Sequence, residues 1–175
     1  MLFSTKAEYG VRLMVELGRR AGETAPDEAR PVSLGAVAES ETLPLSYLEH
    51  LVARLREAGL VSSVRGAHGG YRLAKPAEEI AMLDVVEALE GPIAPMECFH
   101  VDREGRVLCS HESDGDRACA TKLLWTRVQG GVNKALAGTT LAELAAFAAE
   151  HDPKGAEGAA GDADAAKESL AGQAA

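Results

Sequence analysis

Residues 43 to 76 read LPLSYLEHLVARLREAGLVSSVRGAHGGYRLAKP. Pro44 suits the start of a helix, because its missing N–H would be unsatisfied in a first turn anyway. Leu45, Leu48, Leu51, Val52 and Leu55 then recur at helical spacing, and Gly59 closes the run. LVSSV is short and β-branched, RGAHGG is a glycine-rich turn, and YRLAK alternates outward charge with inward bulk. Together these three pieces make a hairpin. Upstream, Ser33 fits the N-cap of a short helix, SLGAVAES, which a turn of about three residues separates from the Pro44 helix. Two helices joined by a tight turn and followed at once by a hairpin describe a winged helix-turn-helix. The expected fold is mainly α with a small β-hairpin: a winged helix-turn-helix domain plus a long dimerisation helix.

Outward from that stretch, Gly10, Leu13, Met14 and Leu17 predict an amphipathic helix over 5–21, ended by Gly22. Ile80, Leu83, Val86 and Leu89 share one side of a helix expected from Glu79 to Glu90. Leu123, Leu124, Val128, Val132 and Leu136 trace a longer stripe over 120–137. That helix exceeds what the winged domain needs for its own core, so it reads as a homodimer-forming element; packing back on its own domain is the alternative. Thr140 and Glu143 fit a capping box for a last helix through Ala149. Residues 151–175 hold nine Ala and four Gly with Leu170 as the one large aliphatic, too little apolar surface to offset chain entropy. Four regions follow: a DNA-binding domain over 1–91, a cysteine-bearing loop over 92–119, the dimerisation and C-terminal helices over 120–150, and a disordered tail over 151–175.

The net charge of -9 over 175 residues argues against nucleic acid only until it is divided along the chain. Residues 1–76 carry ten Lys and Arg against nine Asp and Glu, whereas residues 77–175 carry eight against eighteen. From Arg54 to Lys75 there are five basic residues and one acid, Glu57, so a positive patch survives in an acidic protein. The first turns of the Pro44 helix would present Ser46, Tyr47, Glu49 and His50, the end that enters a major groove in helix-turn-helix proteins. Hydroxyls reach phosphates, Glu49 can accept from a cytosine amino group, and His50 can donate to a purine. Arg54 and Arg65 add charge, and Gly66, Gly69 and Gly70 let the wing tip approach a backbone closely. Taken singly, Tyr47 could equally pack in the core and the arginines form a solvated face. Together they favour site-selective binding of double-stranded DNA at a pseudo-palindromic operator.

All three cysteines fall in CFHVDREGRVLCSHESDGDRAC, residues 98–119, with ten residues between the first two and nine between the next. No run approaches the roughly 18 apolar residues of a membrane helix, and the first residues lack an export-signal pattern, so a cytoplasmic, reducing setting is expected. An odd number of thiols there points away from a disulfide framework and towards metal binding or redox chemistry. The spacing is not the C-x2-C of zinc sites, but inert cysteines prefer apolar elements, and these sit among Glu97, His100, His111, Glu112, Asp116 and Arg117. A cluster-free thiol switch through Cys109 and Cys119 and a zinc site of three Cys and one His stay open beside an iron-sulfur centre. No nucleophile elbow, phosphate loop or paired-carboxylate pocket is readable, so an enzyme is not expected.

The LSYLE-to-GGY segment, followed by a cysteine loop ending in CATKLLW, resembles the IscR family of iron-sulfur regulators, which includes NsrR-type nitric oxide sensors and RirA-type iron sensors. The likeness runs from residue 1 to about 148. It implies a homodimeric winged-helix transcription factor sensing iron, redox state or nitric oxide, with Cys98, Cys109 and Cys119 as cluster ligands. The loop is longer than is usual in the family, and Lys122 stands where IscR-type proteins carry a ligating His. A protonated lysine cannot ligate iron. NsrR-like members use a carboxylate near the start of the first helix of the other subunit, which implies Glu8 here, and a [4Fe-4S] cluster ahead of [2Fe-2S]. Glu8 could instead pair with Arg12 one turn on, and His100 and His111 are substitute ligands.

Overall fold

A computed structural model of the chain describes residues 3–22, 24–94, 99–101, 107–109 and 120–151. Helix α1 spans Thr5–Ala21; the Ser4 side chain caps it by accepting the Lys6 N–H, and Gly22 ends it at φ 56°. Helix α2, Leu34–Glu41, is capped by Ser33, whose side chain accepts the Ala36 N–H. Three residues later α3 begins, Leu45–Glu57, with Pro44 before it. The turn between them is closed by Thr42 in the left-handed region, φ 54° and ψ 47°. Strands β1, Val61–Val64, and β2, Gly70–Leu73, pair antiparallel with Val61 opposite Leu73 and Val64 opposite Gly70. Val32 joins that hairpin, exchanging both backbone hydrogen bonds with Tyr71 at 2.8 Å. The wing is thereby stitched to the residue just ahead of α2.

Two boundaries differ from the periodicity. The helix expected from Glu79 begins at Met82 instead: Ala77–Glu79 form a 3-10 turn and α4 spans Met82–Glu90. The reason is tertiary, since the Ile80 carbonyl accepts the Leu141 N–H and the Met82 N–H donates to Thr139, which holds the chain extended at Ala81. The segment read as an unbroken loop over 92–119 contains a short hairpin, β3 (Phe99–Val101) against β4 (Val107–Cys109). Helices α5, Ala120–Ala137, and α6, Leu141–Glu150, complete the chain, the second with the complete Thr140–Glu143 capping box. The tail assignment falls outside the described residues, beyond 151.

The core is built around α1. Leu13, Met14 and Leu17 meet Leu48, Leu51 and Leu55 of α3, Val85 and Leu89 of α4 and Leu141 of α6, all at most 2% exposed. Burial of this kind contributes about 1.5–3 kcal/mol per large side chain. Helix α6 reaches α1 because Gly18 has no Cβ: one there would stand 3.2 Å from that of Ala145. Helix α5 touches the winged domain through Gln129, buried, whose amide donates to the Ile93 carbonyl at 2.7 Å. Its Leu123 and Leu124 are 61% and 55% exposed. No helix among the described residues is long and apolar enough to cross a membrane.

Candidate nucleic-acid interface

Helix α3 buries Leu48, Leu51, Val52 and Leu55 and so turns the intervening positions outward. Ser46, Glu49 and His50 are exposed, and Leu45, which the spacing places on the apolar side, is 45% exposed at the helix start. Tyr47 is half-buried against the core with its ring edge-on to Tyr9, centroids 5.7 Å apart. The ring is a packing element, leaving its hydroxyl end as the part that could meet a phosphate. Arg65 is exposed at the wing turn and has no partner among the described residues. Gly66 sits at φ 123°, which few other residues adopt. Gly70 has a purely internal reason to be glycine, because a Cβ would run into the backbone of Val32. Arg72, counted in the basic patch, donates to the Asp27 carbonyl at the surface.

Arg54 is not free in the way the sequence suggests. Its guanidinium donates to the Leu89 carbonyl at 3.2 Å, tying the reading helix to the last turn of α4. The same turn is also held by the start of α1. Glu90 accepts the Ser4 N–H at 3.2 Å and the Ser4 hydroxyl, and pairs with Lys6 at 3.3 Å. Burial alone would raise the Glu90 carboxyl, but these Ser4 and Lys6 contacts outweigh it and hold the group below its ordinary value. Ser4 and Lys6 were not legible as site residues, because nothing local signals that Ser4 has a partner 86 residues on.

Glu8 lies exposed in the first turn of α1 with no side-chain partner among the described residues. Its alternative pairing is not formed, since Arg12 goes to Glu41 of α2 at 2.9 Å. Of the proposed ligands, Cys98 and Cys119 lie outside the described residues, as does His111. Cys109 ends β4, with its backbone opposite Phe99, the residue after Cys98. Among the described residues no group of three potential metal ligands is gathered.

Residues 3–146 match the family model described as Rrf2, an iron-dependent transcriptional regulator. The chain belongs to the Rrf2 family. This Rrf2 chain is 38% identical over 147 residues to the HTH-type transcriptional regulator CymR of Bacillus subtilis, covering 84% of the chain and 91% of CymR. Among solved structures it resembles T. potens IscR at 36% identity and TM-score 0.66, over 86% of this chain and 90% of that one. It also resembles the oxidized form of Staphylococcus aureus CymR at 40% identity and TM-score 0.60, over 83% and 96%. The Rrf2 chain is thus a transcriptional regulator of winged-helix fold, and its relatives include both IscR and CymR proteins.

Proposed function

We propose that the chain works as a homodimer that selects a pseudo-palindromic operator and senses iron, oxidant or nitric oxide through an iron-sulfur cluster. Cys98, Cys109, Cys119 and Glu8 of the partner subunit would hold it. The donor set fits: thiolates favour iron, a carboxylate is a tolerated fourth ligand, and Glu8 is exposed with no competing side chain among the described residues. When bound, the cluster supplies a link between subunits that is sensitive to oxidation and iron supply. The winged-helix fold and Arg65 at the wing turn support DNA reading by Ser46, Glu49, His50 and the Tyr47 hydroxyl.

One observation carries the coupling. The cysteine segment begins just beyond the turn at Leu89–Glu90, and that turn is gripped both by Arg54 of the reading helix and by Ser4 and Lys6 at the start of α1. A force on the segment or on Glu8 therefore reaches Arg54 through two hydrogen-bonded links. About 1–3 kcal/mol of such coupling changes affinity severalfold to a hundredfold. Dimerisation through α5 is supported by its exposed Leu123 and Leu124.

The test is anaerobic purification, with iron and acid-labile sulfide assayed beside the visible spectrum. The wild type should carry both, each Cys→Ala variant should lose them, and Glu8→Ala should change the spectrum. A colourless wild type after reconstitution sinks the cluster. The CymR relatives, one solved in an oxidized form, favour a second reading, in which Cys109 and Cys119 form a disulfide without metal. That reading requires diamide-sensitive DNA binding in metal-free protein.

A further inference from the structure

The described surface carries a basic concavity that α3 does not line. A groove of about 780 Å3 opens between the end of α1, the start of α2 and the turn of the wing. Arg20, Arg30 and His68 line it with Val32, Ser33 and Gly69, and no Asp or Glu is among its described lining residues. The three basic side chains are presented in different ways. Arg20 is anchored by its Nε, which donates at 2.7 Å to Glu16, a carboxylate only 3% exposed that also accepts the Ser40 hydroxyl at 2.7 Å. A guanidinium held at one nitrogen keeps donors to spare. Arg30 and His68 are exposed and make no hydrogen bond or ion pair among the described residues.

A concave wall with two arginines and an imidazole, whose one paired carboxylate, Glu16, lies buried behind Arg20, attracts an anion. We infer that this groove seats a phosphate of the DNA backbone, outside the bases that α3 reads. The choice of duplex rests on position: His68 and Gly69 belong to the same turn as Arg65, closed by the Gly69 N–H donating to Gly66 at 2.9 Å, and Ser33 opens the first helix of the helix-turn-helix. That first helix is the element that crosses the backbone in helix-turn-helix complexes. The Val32–Tyr71 bridge fixes the two walls relative to each other, so the groove arrives preformed. Such a contact positions the protein and carries no sequence information. The inference rests on the DNA-binding reading and is independent of the cluster.

The test compares wild type with Arg30→Gln, His68→Gln and the double variant, leaving Arg20 in place because its partner Glu16 is buried. Two duplexes are used: one selected from a random pool by the wild type, and one of mixed sequence. Fluorescence anisotropy over a salt series should show Arg30→Gln weakening both duplexes by the same factor, roughly fivefold. Its slope of log affinity against log salt should become shallower by about 0.9, the value of one lost phosphate contact. His68→Gln should weaken both duplexes by a smaller common factor. Unchanged affinity and slope in a double variant that melts like wild type overturns the inference, as does a loss confined to the selected duplex. Inorganic phosphate saturating the His68 ring signals in DNA-free protein, together with an unchanged DNA salt slope, would make the groove a small-anion site and also overturn it. Wild type failing to bind either duplex would instead remove the DNA-binding reading itself.

Discussion

Replacing Gly70 by Ala separates two roles that the sequence assigns to the same residue. As a wing glycine it reads as permission for close approach to DNA; in the fold it is where the wing meets Val32. An added Cβ would lie 2.6 Å from the Val32 carbonyl carbon and 3.0 Å from the Ser33 nitrogen. Both are backbone atoms, so no rotamer change relieves the clash, and β2 must move away. Moving it stretches the two 2.8 Å hydrogen bonds between Val32 and Tyr71. At about 1 kcal/mol net for each, the loss is roughly 2 kcal/mol, with a further fraction from loosened packing of Val32. For a chain of this size that lowers the melting temperature by roughly 4–8 °C. Circular dichroism melting reads the shift, and anisotropy well below both melting points reads DNA affinity. A melting temperature within about 2 °C of wild type, combined with lost DNA binding, would refute the packing account and restore the close-approach role.

Thr42 is a β-branched residue at φ 54°, exposed and at the turn of the helix-turn-helix. Thr42→Asn should stabilise the protein by roughly 1 kcal/mol, since Asn tolerates the left-handed region better; an unchanged or lower melting temperature contradicts that strain. Leu123→Glu with Leu124→Glu should convert a dimer to a monomer in sedimentation without lowering secondary structure, because both side chains are more than half exposed in one chain; a double variant that still sediments as a dimer moves the interface elsewhere. Glu90 has its carboxyl held below the ordinary 4.5, so its contribution is present above that pH and is lost as pH falls through the folded value. Melting temperature should accordingly fall less steeply in acid for Glu90→Gln than for wild type, and parallel curves would show that the Ser4 and Lys6 contacts add nothing.

Local patterns in the sequence reported well wherever structure is decided locally. The bounds of α1, the Ser33 cap, the Pro44 start and the Thr140–Glu143 box are all set by residues within one turn of each other. What was hidden depends on partners far along the chain. Arg12 leaves Glu8, its neighbour by helical spacing, for Glu41 on another helix, and Arg54 and Arg72 each donate to a backbone carbonyl far along the chain. The start of α4 shifts because Leu141 and Thr139 claim the backbone on either side of Ala81. Phe99–Val101 and Val107–Cys109 are runs of three residues, too short for alternation to register, although β-branched and aromatic residues around DREGR were the available signal. Glu8 stands exposed with no side-chain partner among the described residues.

The most direct measurement is the affinity of the dimer for one selected duplex, taken anaerobically before and after iron is removed by a chelator, at constant salt. Coupling through Leu89–Glu90 to Arg54 predicts that the two affinities differ by at least about fivefold, the lower end of ordinary allosteric coupling. It also predicts that Arg54→Met narrows the difference. Equal affinities for iron-loaded and iron-free dimer would contradict the account.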